Sequence, residues 1–421
     1  MTLIHIIGIG LDGADGLNQK IKDLIAQATL LVGSDRHLNY FPHHPAPRLV
    51  LRNLTKNIQE IRQYLNNDNL IVILVSGDPL FFGLGRLLLA ELPAENIIFH
   101  PHLSSIQQAF SSIKIPWQDA KLISIHGRSW EQLTLALQKG VEKIAILTDP
   151  HNTPEAIARH YLALDLPTQY QFWVCENLGG KEEKINCFSP QELPQQTYSS
   201  LNVVILIRQT LAADTTIDLA SLPLFGLPDS TFICFRDRPG LMTKREIRIA
   251  ILGELALQPG QIIWDIGAGT GSVAAEIARL CPTSQIYAIE KTAIGANLIS
   301  QNCQRLQVSN VTCIQGTAPE ILTQLPTPQR IFIGGSGGNL TAILAHCQKT
   351  LVTDGVIVLA LATIEHLHTC LEWLRSHNCN YRLLQLQISR SVPIAQLNRF
   401  TPLNPVTLVT VYKHETLITK D

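Results

Sequence analysis

The stretch that decides the fold is WDIGAGTGSVAAEIA, residues 264 to 278. An apolar run gives way to Gly267, Gly269 and Gly271, and these to an alanine-rich pattern of helical spacing. A strand, a tight glycine turn and a helix start are predicted, so helix-start N–H groups face whatever ligand sits at the turn. The dinucleotide fingerprint is GxGxxG, whereas here the glycines fall as GxGxG with Ser272 in the third fingerprint position. A phosphate-binding P-loop needs a lysine directly after its last glycine, and none follows Gly271. Both pyrophosphate readings are weakened.

The charges around the turn select among the remaining ligands. Asp265 sits just before the first glycine, where it would crowd a pyrophosphate but suits a cationic group. Glu290 ends the next apolar run, a position from which a carboxylate can accept both hydroxyls of a ribose. A ligand with a ribose, a cationic centre and an anionic carboxylate fits this set, and S-adenosylmethionine (SAM) has all three. Its carboxylate would meet the helix start built from Gly267, Ala268, Gly269, Thr270 and Gly271. The competing reading is that Asp265 caps the turn and the glycines only permit close helix–strand packing. An NAD(P)-dependent oxidoreductase is the rival enzyme class, and a module that binds without turnover is the rival outside enzymes.

Outward from the loop, short apolar runs alternate with helical patterns. In the second half the runs are 261–267, 285–290, 311–315, 330–335, 355–361, 381–388 and 405–412. The last two have no long helix between them, so an open doubly wound sheet with an antiparallel edge is expected. In the first half the runs are 3–9, 70–77, 96–100, 121–127, 143–149, 170–176 and 203–208. Their near-continuous apolar character suits strands covered on both faces. Between the halves the rhythm fails, in a stretch with prolines and polar residues. The expectation is an α/β chain with a domain over 1–210, a linker over 211–230 and a second domain over 231–421.

Composition bounds the rest. A chain of 421 residues exceeds one ordinary core, and 46% hydrophobic with 16% charged residues is globular. A net charge of −1 provides no bulk field for nucleic acid or anionic lipid. Nine cysteines, none in CxxC spacing, fit free thiols in a reducing cytoplasm. No apolar run approaches the roughly 18 residues of a membrane span, and the N-terminus carries no basic leader. His43, His44, His100, His102, His366 and His368 make no convincing ligand set, so no metal is expected. A homo-oligomer is expected.

Five stretches of the second half, PGLMTKREIR (239–248), WDIGAGTGSVAAE (264–276), YAIEK (287–291), IFIGGSGG (331–338) and LNPVTLVT (403–410), resemble the CbiT-type methyltransferases of cobalamin biosynthesis. These have the Rossmann-like class I SAM methyltransferase fold. In the first half VSGDPLFFGLG (75–85), HPHLSSIQQAF (100–110), HGR (126–128), LTDPHNTP (147–154) and CENLGG (175–180) resemble the CbiE-type tetrapyrrole methylases, a two-lobed fold with SAM between its lobes. Fusion in this order resembles the bifunctional, decarboxylating precorrin methyltransferases. The resemblance implies SAM-dependent methylation of a precorrin at C5 by the first half. It implies methylation at C15, with loss of the ring C acetate carboxyl, by the second.

The same resemblance assigns the second SAM site to Thr243, the Gly267–Gly271 loop, Glu290 and Ala318. Thr317 stands where the family often has an aspartate, which shifts weight onto the backbone N–H of Ala318. Leu11 replaces a usual proline beside Gly8 and Gly10. Thr243 also fits a capping box with Glu246 and so caps a helix, touches the cofactor, or both. Gly77, Asp78 and Leu80 are implied in the first SAM pocket, although Asp78-Pro79 alone reads as a helix start. Ser104 and Ser105 are helix caps, cofactor contacts, or both. Arg128, Arg236, Arg238, Arg390 and Arg399 are candidates for the substrate's carboxylates, and each also reads as a solvated surface cation. No proton donor for the decarboxylation is identified.

Overall fold

The computed structural model describes residues 3–65, 69–209, 217–394 and 397–413. They fall into two compact units. One comprises Met1–Gln132, Glu142–Ile157 and Gln171–Ile207; the other comprises Leu133–Val141, Ala158–Tyr170 and Arg208–Asp421.

The first unit holds two five-stranded sheets. Strands β1 (Leu3–Ile9), β2 (Leu30–Gly33), β3 (Arg48–Val50), β4 (Leu70–Ser76) and β5 (Ile97–His100) pair in the order β3-β2-β4-β1-β5, all parallel. Side chains alternate across this sheet: Ile4, Ile6, Ile71 and Ile73 pack into one apolar layer, and Ile7, Ile9, Val72 and Leu74 into the opposite one. Burial on both faces is why β1 and β4 read as near-continuous apolar runs. The second sheet runs β6-β7-β10-β8-β9, from β6 (Lys121–Ser124), β7 (Lys143–Leu147), β8 (Gln169–Glu176), β9 (Lys184–Phe188) and β10 (Asn202–Gln209). It is mixed, since β7 is parallel to β6 and antiparallel to β10.

The second unit is built on seven strands: β11 (Ile262–Ile266), β12 (Gln285–Glu290), β13 (Val311–Gln315), β14 (Arg330–Ile333), β15 (Val356–Leu361), β16 (Asn380–Leu386) and, after a hairpin of β17 (Ser389–Ile394) and β18 (Leu397–Pro402), β19 (Val406–Tyr412). Their order is β13-β12-β11-β14-β15-β19-β16. The first five are parallel, and β19 lies antiparallel to both β15 and β16, which is the expected edge. Trp264 and Ile266 face one core layer, while Ile263 with Phe332 and Val358 fills the other. The β17–β18 hairpin was not anticipated.

Of the stretch expected as a linker, residues 211–216 lie outside the described residues. Residues 217–230 pack on the second unit, with Leu227 fully buried among Phe232, Met242, Ala275 and Leu306. Beside it lies an ionic cluster without solvent. Arg248 bridges Asp229 (Nη1–Oδ1, 2.7 Å) and Glu276 (Nε–Oε1, 2.6 Å), and all three side chains are 0% exposed. Its remaining donors go to the carbonyls of Thr243 and Leu227, and its guanidinium lies 4.7 Å over the Phe232 ring. Glu276 also accepts the Gly226 and Leu227 N–H groups. Charges removed from water are tolerable only with hydrogen bonding this complete.

Two local expectations are corrected. The helix after Thr243 spans Arg245–Glu254, and its N-cap is Lys244 with no side-chain cap bond. Thr243 therefore forms no capping box, because it stands one residue before the N-cap; its carbonyl accepts from Arg248. Asp78-Pro79 starts no helix either: the Asp78 carboxylate accepts the Leu80 N–H at 2.9 Å, closing a turn, and the next helix is Gly85–Glu91.

Candidate active sites

In the second unit the C-terminal ends of β11, β12 and β14 open onto a cavity of about 270 Å³. Gly267 and Gly269 form its floor, with Glu290, Thr317, Ala318, Gly335 and Phe235 around it. Gly267 is at φ +70°, and a Cβ there would lie 2.7 Å from the Gly335 N and Cα. Only glycine allows the two loops to touch. Gly269 is at φ +57°, but its missing side chain would point into open space, with Phe235 Cε2 nearest at 4.0 Å. The first glycine is thus needed for packing and the second leaves room.

Glu290 is held before any ligand arrives. One carboxylate oxygen accepts the Gly269 N–H at 3.1 Å; the other accepts the Thr292 N–H at 2.9 Å and hydroxyl at 2.8 Å. Of about four acceptor sites on the two oxygens, three are used, which leaves the Gly269-bound oxygen able to accept from a ligand hydroxyl. Asp265 differs from expectation, being fully buried behind the loop and not on the cavity wall. Oδ2 accepts the Ala274 N–H at 3.0 Å, tying strand to helix, while Oδ1 is buried with no partner among the described residues. Burial, with a further contribution from the Glu290 charge, outweighs the Ala274 bond and pushes its carboxyl up to about 7. Thr243, Ala268, Thr270 and Gly271 also stand off the cavity wall. Thr270 is buried, and its carbonyl accepts from Asn302 Nδ2 at 2.8 Å.

The first unit has a larger cavity, about 640 Å³, within the 300–1,000 Å³ range of small-molecule sites. Gly77, Asp78, Ser104 and Ser105 line it; Leu80 does not, and is half exposed. Ser104 caps the helix Ser105–Ile113 in a full capping box with Gln107, so its hydroxyl is already engaged. Arg128 lines the cavity and stacks on Phe82, 5.4 Å from the ring centre. Two residues not singled out as site candidates from the sequence join it. Asp149 is held at about 2: burial acts to raise it, but N–H bonds from Gly127, Asn152 and His151 prevail. Arg36 lines the wall and donates to Ser76 Oγ at 2.8 Å, beside buried His37.

Among the other arginines, Arg238 alone lines the second cavity, stacked on Phe235. Arg236 is exposed and off both cavity walls. Arg390, expected to meet substrate, is instead paired with Glu246 (2.7 Å) and Asp229 (2.9 Å). Arg399 lies on β18, away from both cavities. Lys291 and Ser336 line the second cavity and were not singled out from the sequence. No group of three or more residues suited to a metal occurs among the described residues.

A parallel sheet whose glycine turn and strand-end glutamate flank a cavity, preceded by a unit of two α/β sheets around a second cavity, defines a two-site methyltransferase. The tetrapyrrole (corrin/porphyrin) methylase family model matches residues 3–192, and that of the precorrin methyltransferase domain matches 234–413. The chain belongs to the family of precorrin-6Y C(5,15)-methyltransferases [decarboxylating]: the relative of that name from a Sinorhizobium species is 31% identical over 413 residues, covering 96% of this chain and 95% of the relative. Each half also has single-activity relatives. The cobalt-precorrin-6B C(15)-methyltransferase (decarboxylating) of Salmonella typhimurium is 35% identical over 175 residues, covering 41% of this chain and 90% of itself. A probable cobalt-precorrin-7 C(5)-methyltransferase of Methanocaldococcus jannaschii is 34% identical over 210 residues, covering 48% and 97%.

Proposed function

We propose that the chain methylates a precorrin at C5 in its first unit and at C15 in its second, where the ring C acetate also loses CO2. The observation that carries this is collinearity. One relative aligns along nearly the whole chain, single-activity relatives align with each half, and each unit has its own cavity. The reducing cytoplasm expected from the thiols is the compartment we assign.

SAM, when bound, supplies an electrophilic methyl on a sulfonium. The protein's part is to hold donor and acceptor in line and keep water out. In the second unit Glu290, already oriented by Gly269 and Thr292, would accept the ribose hydroxyls. The open side of Gly269 gives the cofactor room against bare backbone, and the Ala318 N–H would meet the adenine edge. In the first unit the Gly77 and Asp78 backbone with Ser104 and Ser105 would hold the cofactor. Arg36 and Arg128 would hold substrate carboxylates, where a guanidinium can bind both oxygens. The electron-rich macrocycle carbons are themselves the nucleophiles, so no activated serine or cysteine is required.

The test is mass spectrometry of the product formed from precorrin-6B and SAM by the full chain. Gain of two methyl groups with loss of CO2 is the expected result. Binding of SAM and precorrin with no mass change would overturn the reading.

A further inference from the structure

We propose that Lys291 is the catalytic acid of the second site, delivering the proton that takes the place of CO2; the inference rests on the decarboxylating function above. Loss of CO2 leaves an electron pair that must end in a C–H bond, and a proton must be at hand on the cavity wall. The side chains there that carry or could carry one are Arg238, Glu290, Lys291, Thr292, Thr317 and Ser336. Histidine, cysteine and tyrosine are absent from the lining.

The local geometry removes most of the six. Glu290 accepts three hydrogen bonds as a carboxylate, and the Thr292 hydroxyl is donated to it. A guanidinium does not give up its proton in proteins, which excludes Arg238. Thr317 and Ser336 offer only hydroxyls, weak acids without a partner to activate them among the described residues. Lys291 remains, an ammonium with three donors. It follows β12, yet its side chain reaches the loop after β14: a Cβ built on Gly337 would lie 3.3 Å from Nζ. The ammonium therefore stands at the cavity rim between two strand ends. Lys291 is exposed and has no ion pair or hydrogen bond among the described residues, so no protein partner has to be broken before it acts.

The step balances as follows. The bond from the acetate methylene to its carboxylate carbon breaks, its electron pair enters the conjugated macrocycle, and CO2 departs. The methylene carbon then forms a C–H bond with that pair and the Lys291 proton. This leaves a methyl group and a neutral amine, which regains a proton from water.

The experiment uses the full chain with SAM and precorrin-6B, following CO2 release, C5 methyl transfer, and calorimetric affinity for S-adenosylhomocysteine. Lys291→Gln should slow CO2 release about 100-fold, the scale of general acid catalysis, with affinity for S-adenosylhomocysteine within twofold of wild type. Lys291→Arg keeps the charge but holds its proton, and should be as slow as Lys291→Gln. Wild-type CO2 release in Lys291→Gln overturns the proposal. Rescue by arginine overturns it too, making Lys291 a charge contact to a carboxylate, as does a joint loss of affinity, which makes it part of the cofactor site. If the wild-type chain methylates without releasing CO2, the decarboxylating function itself falls, before any variant is read.

Discussion

Exchanging either of two neighbouring glycines for alanine should break the second site in two different ways. At Gly267 the new Cβ would stand 2.7 Å from the Gly335 N and Cα, and closer still to its carbonyl oxygen. Both sides are backbone, so one loop must move. A non-glycine residue at φ +70° costs about 1–2 kcal/mol, and overpacking of this kind adds about 1–3 kcal/mol or more. Gly267→Ala should therefore destabilise the second unit by roughly 2–5 kcal/mol, lowering its melting temperature by about 4–20 °C. At Gly269 the left-handed strain is similar, about 1–2 kcal/mol, but the Cβ meets nothing closer than 4.0 Å and projects into the cavity. Gly269→Ala should fold and lose its ligand. Hydrogen-exchange mass spectrometry of the full chain would locate lost protection in β11 and β14 for the first variant alone. Titration with S-adenosylhomocysteine should count two sites in wild type and one in Gly269→Ala. Equal protection in Gly267→Ala and wild type, or two full-affinity sites in Gly269→Ala, would refute this division of labour.

Glu290→Ala should weaken S-adenosylhomocysteine binding at the second site by about 1–3 kcal/mol, because the variant also frees the Gly269 N–H; calorimetry with unchanged affinity would reject the role. Arg248→Met leaves Glu276 buried without its cationic partner and Asp229 with Arg390 alone, and should cost about 3–5 kcal/mol, read as exchange protection lost around 226–232. Two pH responses of opposite sign are expected. Burial, then the Arg36 charge, lowers His37 to about 4, so the unfolded chain takes up the proton first. Stability of the first unit is complete above about pH 6.5 and falls by about 2–3 kcal/mol as pH drops towards 4. Asp265 is raised, so the folded chain holds its proton more tightly. Its contribution to the second unit is complete below about pH 4 and lost as pH rises through about 7. His37→Gln and Asp265→Asn should each flatten the corresponding slope in pH-dependent exchange protection.

Much of this architecture could be read before the coordinates, for an identifiable reason. Strands buried on both faces, such as β1, β4 and β11, need apolar residues at nearly every position, and such runs stand out. β2 and β3 are only four and three residues long, too short for a period, and were missed. The β17–β18 hairpin, SRSVPI and LNRFTP, has neither an apolar run nor clean alternation. The glycine loop was legible because close backbone approach demands glycine, and Glu290 because it is the charged residue that ends an apolar run. The roles of the cations were not. Arg390 finds Glu246, 144 positions earlier in the chain, and nothing local announces that partner. Arg248 looks like any helical arginine until Asp229 and Glu276 close around it. Lys291 escaped notice because its importance lies in reaching Gly337, 46 positions away.

The Arg248 cluster also governs how the two activities can be taken apart. A fragment beginning at residue 231 would leave behind Asp229 and the Gly226 and Leu227 amides. Arg248 and Glu276 would then keep only their mutual bond and the one to the Thr243 carbonyl, with four of their six bonds unmade. A self-sufficient C15 enzyme cut from this gene must therefore start upstream of Gly226. What looks like spare tether in the sequence is a buried segment of the second catalyst, which also draws on Leu133–Val141 and Ala158–Tyr170 from the first half of the chain.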